Sequence, residues 1–288
     1  LHGQAGKDWL AALPKKLHTL AQTAKFTLAP AFNNLSFHYV APVTLANGKA
    51  AVLKYGLPQQ TGMAQEIAAL QQFSGQGAVT LLQANSNAGW CLLQRCQPGT
   101  SLTSIDEDER SCKIAVNVMQ RLWQPATNHL DFPHIRHWLT ALENTKSQML
   151  PSALIARAQQ LAKYLLQSST NEVLLHGDLH HDNILFAGKQ HWLSIDPKGI
   201  IGEREYEIGA FIRNPQALFK QHEGLQQRLR NRLRIFSELT SFNEERLLHW
   251  SFVQAVLSVI WAEQDGLIQH LAPMLSGAKQ LALILSHE

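Results

Sequence analysis

His176-Gly177-Asp178-Leu179-His180-His181-Asp182-Asn183, followed closely by Ile195-Asp196, is the stretch of this 288-residue sequence that decides its fold. It puts a carboxylate and two oxygen ligands into one loop and the strand that comes after it. Phosphoryl transfer uses such a set: a carboxylate receives the acceptor hydroxyl's proton, while oxygen donors hold magnesium on the nucleotide phosphates. A second chemistry is open from the same residues. His176, Asp178, His180, His181 and Asp182 could form the zinc or two-metal centre of a metal-dependent hydrolase. Against that alternative, His180 and His181 are adjacent and their side chains diverge, and Asn183, Asp196 and Lys54 are left without roles.

The flanking sequence predicts how this block is carried. A short strand over 172–175 leads into the loop, and strands over 184–186 and 192–195 form a small hairpin behind it. Upstream, helices are expected over 106–123, with Asp106 as N-cap and Asp108 and Glu109 in the first turn, and over 134–150 and 152–167. Downstream, helices begin near Tyr206 and are interrupted at Pro215, Ser241 and Gly266. The first third has the other periodicity. Strands are predicted over 35–45 and 50–55, joined by the turn pair Asn47-Gly48, and again over 79–83 and 90–94. Between them, Met63, Ile67 and Leu70 space a helix over 61–73 that carries Glu66, while Lys54 lies on the preceding strand. Gln97-Pro98-Gly99 breaks the pattern, so the chain is divided into 1–95 and 96–288.

Composition narrows the partners. With 45% hydrophobic residues the chain can bury a large core. A net charge of +3 with scattered Lys and Arg is too small to argue for a nucleic-acid partner, and none is expected. The apolar run over 252–262 carries Gln254 and is too short to span a bilayer, and no secretory signal is read at the start. Cys91, Cys96 and Cys112 are odd in number and lack CxxC spacing, which points to free thiols and a cytoplasmic protein.

Strands with one helix, then helices interrupted by an acid-bearing hairpin, is the order of the two-lobed, protein-kinase-like α+β fold, with a β-rich N-lobe and a mainly helical C-lobe. The sequence resembles the aminoglycoside phosphotransferase superfamily in His176-Gly177-Asp178, Asn183 and Asp196. Within it, the streptomycin 6-kinase and hydroxyurea phosphotransferase group is suggested by Ile195-Asp196-Pro197-Lys198-Gly199 and by Gly202-Glu203-Arg204-Glu205-Tyr206-Glu207-Ile208-Gly209.

The resemblance implies a kinase that uses ATP and Mg2+ and phosphorylates a hydroxyl of a small molecule. Asp178 is the implied base, and Asn183 and Asp196 the implied magnesium ligands. Lys54, paired with Glu66, is expected on the nucleotide phosphates, and the backbone near Gln94 and Cys96 on the adenine edge. His176 and Glu207 are assigned to bracing the loop. Two departures from the protein-kinase pattern follow. No GxGxxG precedes Lys54, so Asn33-Asn34-Leu35-Ser36 is the candidate phosphate-covering turn, with Ser36 a possible contact. Asp196 is followed by Pro197-Lys198-Gly199, which offers Lys198 as a phosphate or substrate contact and leaves no room for a long activation segment, disfavouring a protein substrate. For an acceptor bearing guanidinium groups, the later helices offer Glu203, Glu205, Glu238, Glu263 and Asp265, although a solvated helix face is the first expectation for each. Trp250 and Trp261 are expected in the core.

Overall fold

The structure is a computed structural model describing residues 3–33, 38–58, 61–125, 131–143, 145, 147–220 and 224–286. The N-terminal part runs α1 (Gly3–Thr23), β1 (Phe26–Leu28), β2 (Tyr39–Leu45), β3 (Ala50–Tyr55), α2 (Thr61–Phe73), β4 (Leu81–Asn85) and β5 (Trp90–Gln94). Its strands form one antiparallel sheet in the order β1-β2-β3-β5-β4. The Asn47-Gly48 turn joins β2 to β3, with Gly48 at φ +79°, a left-handed conformation open to glycine without steric cost.

Alternation along β3 and β5 sorts their side chains between two cores. Leu53, Tyr55, Trp90 and Leu92 pack with Leu13, Leu17 and Leu20 of α1. Val52, Cys91 and Leu93 face the opposite way, into the larger core with Met63, Ile67 and Leu70 of α2. Because Lys54 follows Leu53 by one residue, the period of two carries it onto the α2 face. α1 is not among the helices expected from the sequence. The spacing of Leu10, Leu13, Leu17 and Leu20 is the helical signal available for it, and Pro14 within the helix masks that signal.

The remainder comprises α3 (Asp108–Leu122), α4 (Ile135–Leu139), α5 (Ser152–Gln167), β6 (Val173–Leu175), β7 (Ile184–Phe186), β8 (Trp192–Ser194), β9 (Ile200–Gly202), α6 (Arg204–Ile212), α7 (Leu225–Thr240), α8 (Glu244–Gln264) and α9 (Ile268–Leu285). β7 and β8 form the expected hairpin, and β6 gains an unforeseen antiparallel partner in β9. α8 is apolar almost all round because it lies in the centre of the helices, against α5, α6, α7 and α9. Trp250 is fully buried there. Among the described residues no helix is long and apolar enough to cross a membrane. Two helix boundaries differ from expectation. Glu107, rather than Asp106, precedes α3, and the helix expected over 134–150 shrinks to α4 and one 3-10 turn, capped by the His134 side chain on the Arg136 N–H.

Candidate functional site

Lys54 and Glu66 meet where the sheet faces α2. The Lys54 Nζ lies 2.6 Å from Glu66 Oε2 and 2.9 Å from Asp196 Oδ1. Lys54 and Glu66 are each 4% exposed, so they form a desolvated charge pair. Burial works against both charges and lifts the Glu66 carboxyl; for Lys54 the two carboxylates outweigh burial, and the ammonium is held well above the ordinary lysine range. Burial would likewise raise Asp196, but Lys54 and then Lys198 hold it below the usual carboxylate range. Asp196 follows β8 with φ +60°, a left-handed conformation that Asp tolerates better than most residues. This local cost turns its carboxylate back towards β3, where the Lys54 contact secures it.

The loop after β6 is built on backbone contacts. Glu207, in the first turn of α6 and wholly buried, accepts the N–H groups of His176 at 2.7 Å and Gly177 at 2.9 Å. Burial pushes its carboxyl up to about 7 against the pull of those donors. Gly177 has φ +83°, and a Cβ there would lie 2.8 Å from Ile200 Cγ2. The His176 ring is fully buried, with Nδ1 receiving the Asp178 N–H at 3.3 Å and Nε2 2.8 Å from the Ile195 carbonyl. That pairing needs the neutral ring protonated on Nε2, and burial lowers its pKa to about 4. Asn183 donates Nδ2 to the Asp178 carbonyl at 2.9 Å, and its own carbonyl accepts the Ile195 N–H at 3.0 Å. The loop after β6 and the segment that carries Asp196 are therefore joined by direct hydrogen bonds.

Around the Asp178 side chain the structure gathers two cations and a histidine. Arg213 Nη2 donates to Oδ1 at 2.9 Å, while Lys198 Nζ and His180 Nε2 each lie 3.9 Å from Oδ2. Burial would raise this carboxyl, but His180, Arg213 and Lys198 together hold it below the ordinary range. Arg213 had no signal in the sequence, since it stands 35 residues from Asp178 and outside every motif.

A cavity of about 360 Å³ opens beside these groups. Lys54 and Asp196 lie at one end, and Val40, Val52, Val79, Leu93, Leu185 and Ile195 supply apolar walls. Gln94 and Cys96 line it, with one restriction on Gln94. The Gln94 N–H is taken by the Thr80 carbonyl and its side-chain oxygen by the Thr80 N–H and hydroxyl, whereas among the described residues no backbone partner meets Arg95 or Cys96. Ser36 lies outside the described residues, as do Asn34 and Leu35 of the proposed covering turn.

The structure disperses the metal-centre alternative. The His176 nitrogens are committed to the loop, and His181 is buried in a stack on Phe211 with a 3.9 Å centroid separation. His180 turns Nδ1 to the Asp182 N–H and Nε2 to the Asn183 amide. Among the described residues no three His, Cys, Asp or Glu side chains are placed to hold a metal ion. The three cysteines are free and buried. Of the acids offered for an acceptor, Glu203 is buried between Arg246 and the Trp250 indole, Glu263 holds the backbone N–H groups of Gln148 and Met149, and Glu238 pairs with Arg234. Glu205 is partly buried and Asp265 exposed.

Comparison with known proteins agrees with this geometry. The family described as aminoglycoside/hydroxyurea antibiotic resistance kinase matches residues 32–266. A streptomycin 3''-kinase of Klebsiella pneumoniae is 32% identical over 203 residues, covering 68% of this chain and 74% of that protein. A streptomycin 6-kinase of Streptomyces glaucescens is 25% identical, covering 92% of this chain and 87% of its own length. Among solved structures, an aminoglycoside phosphotransferase APH(4)-Ia in ternary complex with ADP and hygromycin B superposes with a TM-score of 0.65 at 13% identity, covering 92% of this chain and 96% of that one. The fold is protein-kinase-like, a β-sheet N-terminal region followed by a helical C-terminal region.

Proposed function

This chain belongs to the aminoglycoside/hydroxyurea antibiotic resistance kinase family, a small-molecule phosphotransferase, and from that premise we propose that it moves the γ-phosphate of ATP to a hydroxyl of its acceptor. The observation that carries the reading is the junction of Lys54, Glu66 and Asp196 at the end of an apolar-walled cavity, bonded directly to the Asp178–Asn183 loop. Residues 1–95 act as the nucleotide-binding lobe and 96–288 as the catalytic and acceptor-binding lobe.

In this reading the adenine lies between the valine and leucine walls, with its polar edge on the Arg95–Cys96 backbone. Lys54, kept in place by Glu66, donates to the α- and β-phosphates. Asn183 and Asp196 suit a hard cation: both offer oxygen, and the Asn183 Nδ2 is already turned to the loop. Magnesium held by them would offset the charge of the phosphates. The acceptor hydroxyl approaches Asp178. Its oxygen forms the new bond to phosphorus as the bond to the β,γ-bridging oxygen breaks, ADP leaves with that electron pair, and Asp178 receives the proton. A carboxylate held low by neighbouring cations is a weak base, which suits a loose transition state in which the proton moves late. Lys198 adds positive charge beside the same carboxylate.

The acceptor is an aminoglycoside such as streptomycin, hydroxyurea or a related metabolite; the family and the streptomycin kinases among the relatives support this range. The test is ADP release with ATP and magnesium across streptomycin, other aminoglycosides, hydroxyurea, sugars and amino alcohols. Turnover on one of these small molecules is the expected result. Activity confined to a peptide acceptor would overturn the reading.

A further inference from the structure

We propose that Arg213 is a positioning residue for the transfer reaction: its guanidinium holds the Asp178 carboxylate by Oδ1, so that Oδ2 is the oxygen presented to the acceptor hydroxyl. This rests on the assignment of Asp178 to the reaction.

The geometry is specific. Arg213 Nη2 reaches Oδ1 at 2.9 Å, whereas Lys198 and His180 approach Oδ2 only to 3.9 Å. One oxygen is bonded and the other has loose neighbours that an incoming hydroxyl can displace. Arg213 is also fixed at its root. Its N–H donates to Gly209 at the end of α6, and the carbonyl of Asn214 accepts from the buried Arg232, which is itself tied to Asp108. A side chain whose backbone is held on both sides, and which is itself only 17% exposed, loses little further freedom when it grips Asp178.

The arrangement carries a cost that stability does not explain. Among the described residues Asp178 is the acceptor that the guanidinium meets, and Nε is buried with no partner among them. A guanidinium placed for stability alone would be expected to satisfy that donor. α6 thus works on the loop twice: Glu207 in its first turn holds the backbone of His176 and Gly177, and Arg213 at its end holds the side chain one residue further on. Backbone and carboxylate are referred to one rigid element.

The test compares Arg213→Gln and Arg213→Lys with the parent, following ADP release from ATP with streptomycin and with water alone as acceptor. Losing a hydrogen bond to a charged group should lower kcat roughly 10- to 100-fold in Arg213→Gln. The KM for ATP should stay within about twofold, because only the step that uses Asp178 is affected. Arg213→Lys should recover part of the loss. A nucleotide-dependent thermal shift in each variant reports that it has folded. In an Asp178→Asn background, Arg213→Gln should cost nothing more, since there is no carboxylate left to position. Unchanged kcat, a rise confined to the KM for ATP, or a cost that adds in full to that of Asp178→Asn would overturn the proposal and leave the kinase reading intact. Parental turnover in Asp178→Asn itself, or no ADP release from the parent with water, streptomycin or any other acceptor of the panel above, would remove the assignment of Asp178 and this proposal with it.

Discussion

Replacing Glu207 with Gln isolates the energetic consequence of burying a carboxylate under the Asp178 loop. Burial lifts its folded-state pKa to about 7, from an ordinary value of 4.5. A raised folded pKa means that the fold favours the protonated form, so this contribution to stability is complete below about pH 4.5 and is lost as pH rises through about 7. At about 1.4 kcal/mol per pH unit, the gap corresponds to about 3 kcal/mol between pH 4.5 and 8. Gln resembles the protonated acid in shape and cannot ionise. The parent should therefore lose about 3 kcal/mol across that window relative to Glu207→Gln, whose own profile lacks this component. Urea unfolding of both proteins at pH 5, 6, 7 and 8 measures the difference directly. A difference that stays constant within about 1 kcal/mol over the whole range would refute the reasoning. Turnover at pH 8 should fall in the variant, because an amide presents one acceptor where the carboxylate gives one oxygen to each of two N–H groups.

Other perturbations reach different parts of the site. Asp178→Asn should reduce kcat by about 100- to 10,000-fold while nucleotide affinity, measured by calorimetry, stays near the parent's. Lys54→Met removes the cation between Glu66 and Asp196, and breaking such a buried pair should cost about 3 kcal/mol in chemical denaturation and weaken ATP binding as well. Asp108→Asn tests the support behind α7: Arg228 and Arg232 overcome burial to hold Asp108 below the usual range, so its contribution is present at neutral pH and lost as acid protonates it. The variant should be less stable than the parent at pH 7 and closer to it near pH 3 in thermal unfolding. Gly177→Ala should destabilise by more than about 1 kcal/mol, since it strains φ and drives a methyl against Ile200 and Trp138.

Much of the site was legible because its signals are local. The strand that carries Lys54, the helix that carries Glu66 and the loop with its hairpin each show within a short window, and the fold brings Lys54, Glu66 and Asp196 together. Elements failed where local pattern and packing diverged. The apolar positions of 134–150 read as helix, yet the chain leaves that path after Leu142, and Glu263 of α8 instead receives backbone N–H groups of the following segment. β9 follows Pro197-Lys198-Gly199 with no strand signal of its own, and it exists by pairing with β6. The acids chosen by charge alone fared worst: Glu203 looked available and is enclosed by Arg246 and Trp250.

By itself the sequence determined the family that the chain resembles and the alternation that sends Lys54 to one face of its sheet. Both follow from residue identity and from the two-residue period of a strand, which hold wherever the strand is placed. The tertiary structure alone decided which charges meet. It brought Arg213 to Asp178 across 35 residues, withdrew Glu203 and Glu263 from any acceptor, and set the histidines of the opening motif on separate tasks. Coulombic and hydrogen-bond energies depend on distances of a few ångströms and on how much water has been excluded, and packing fixes both.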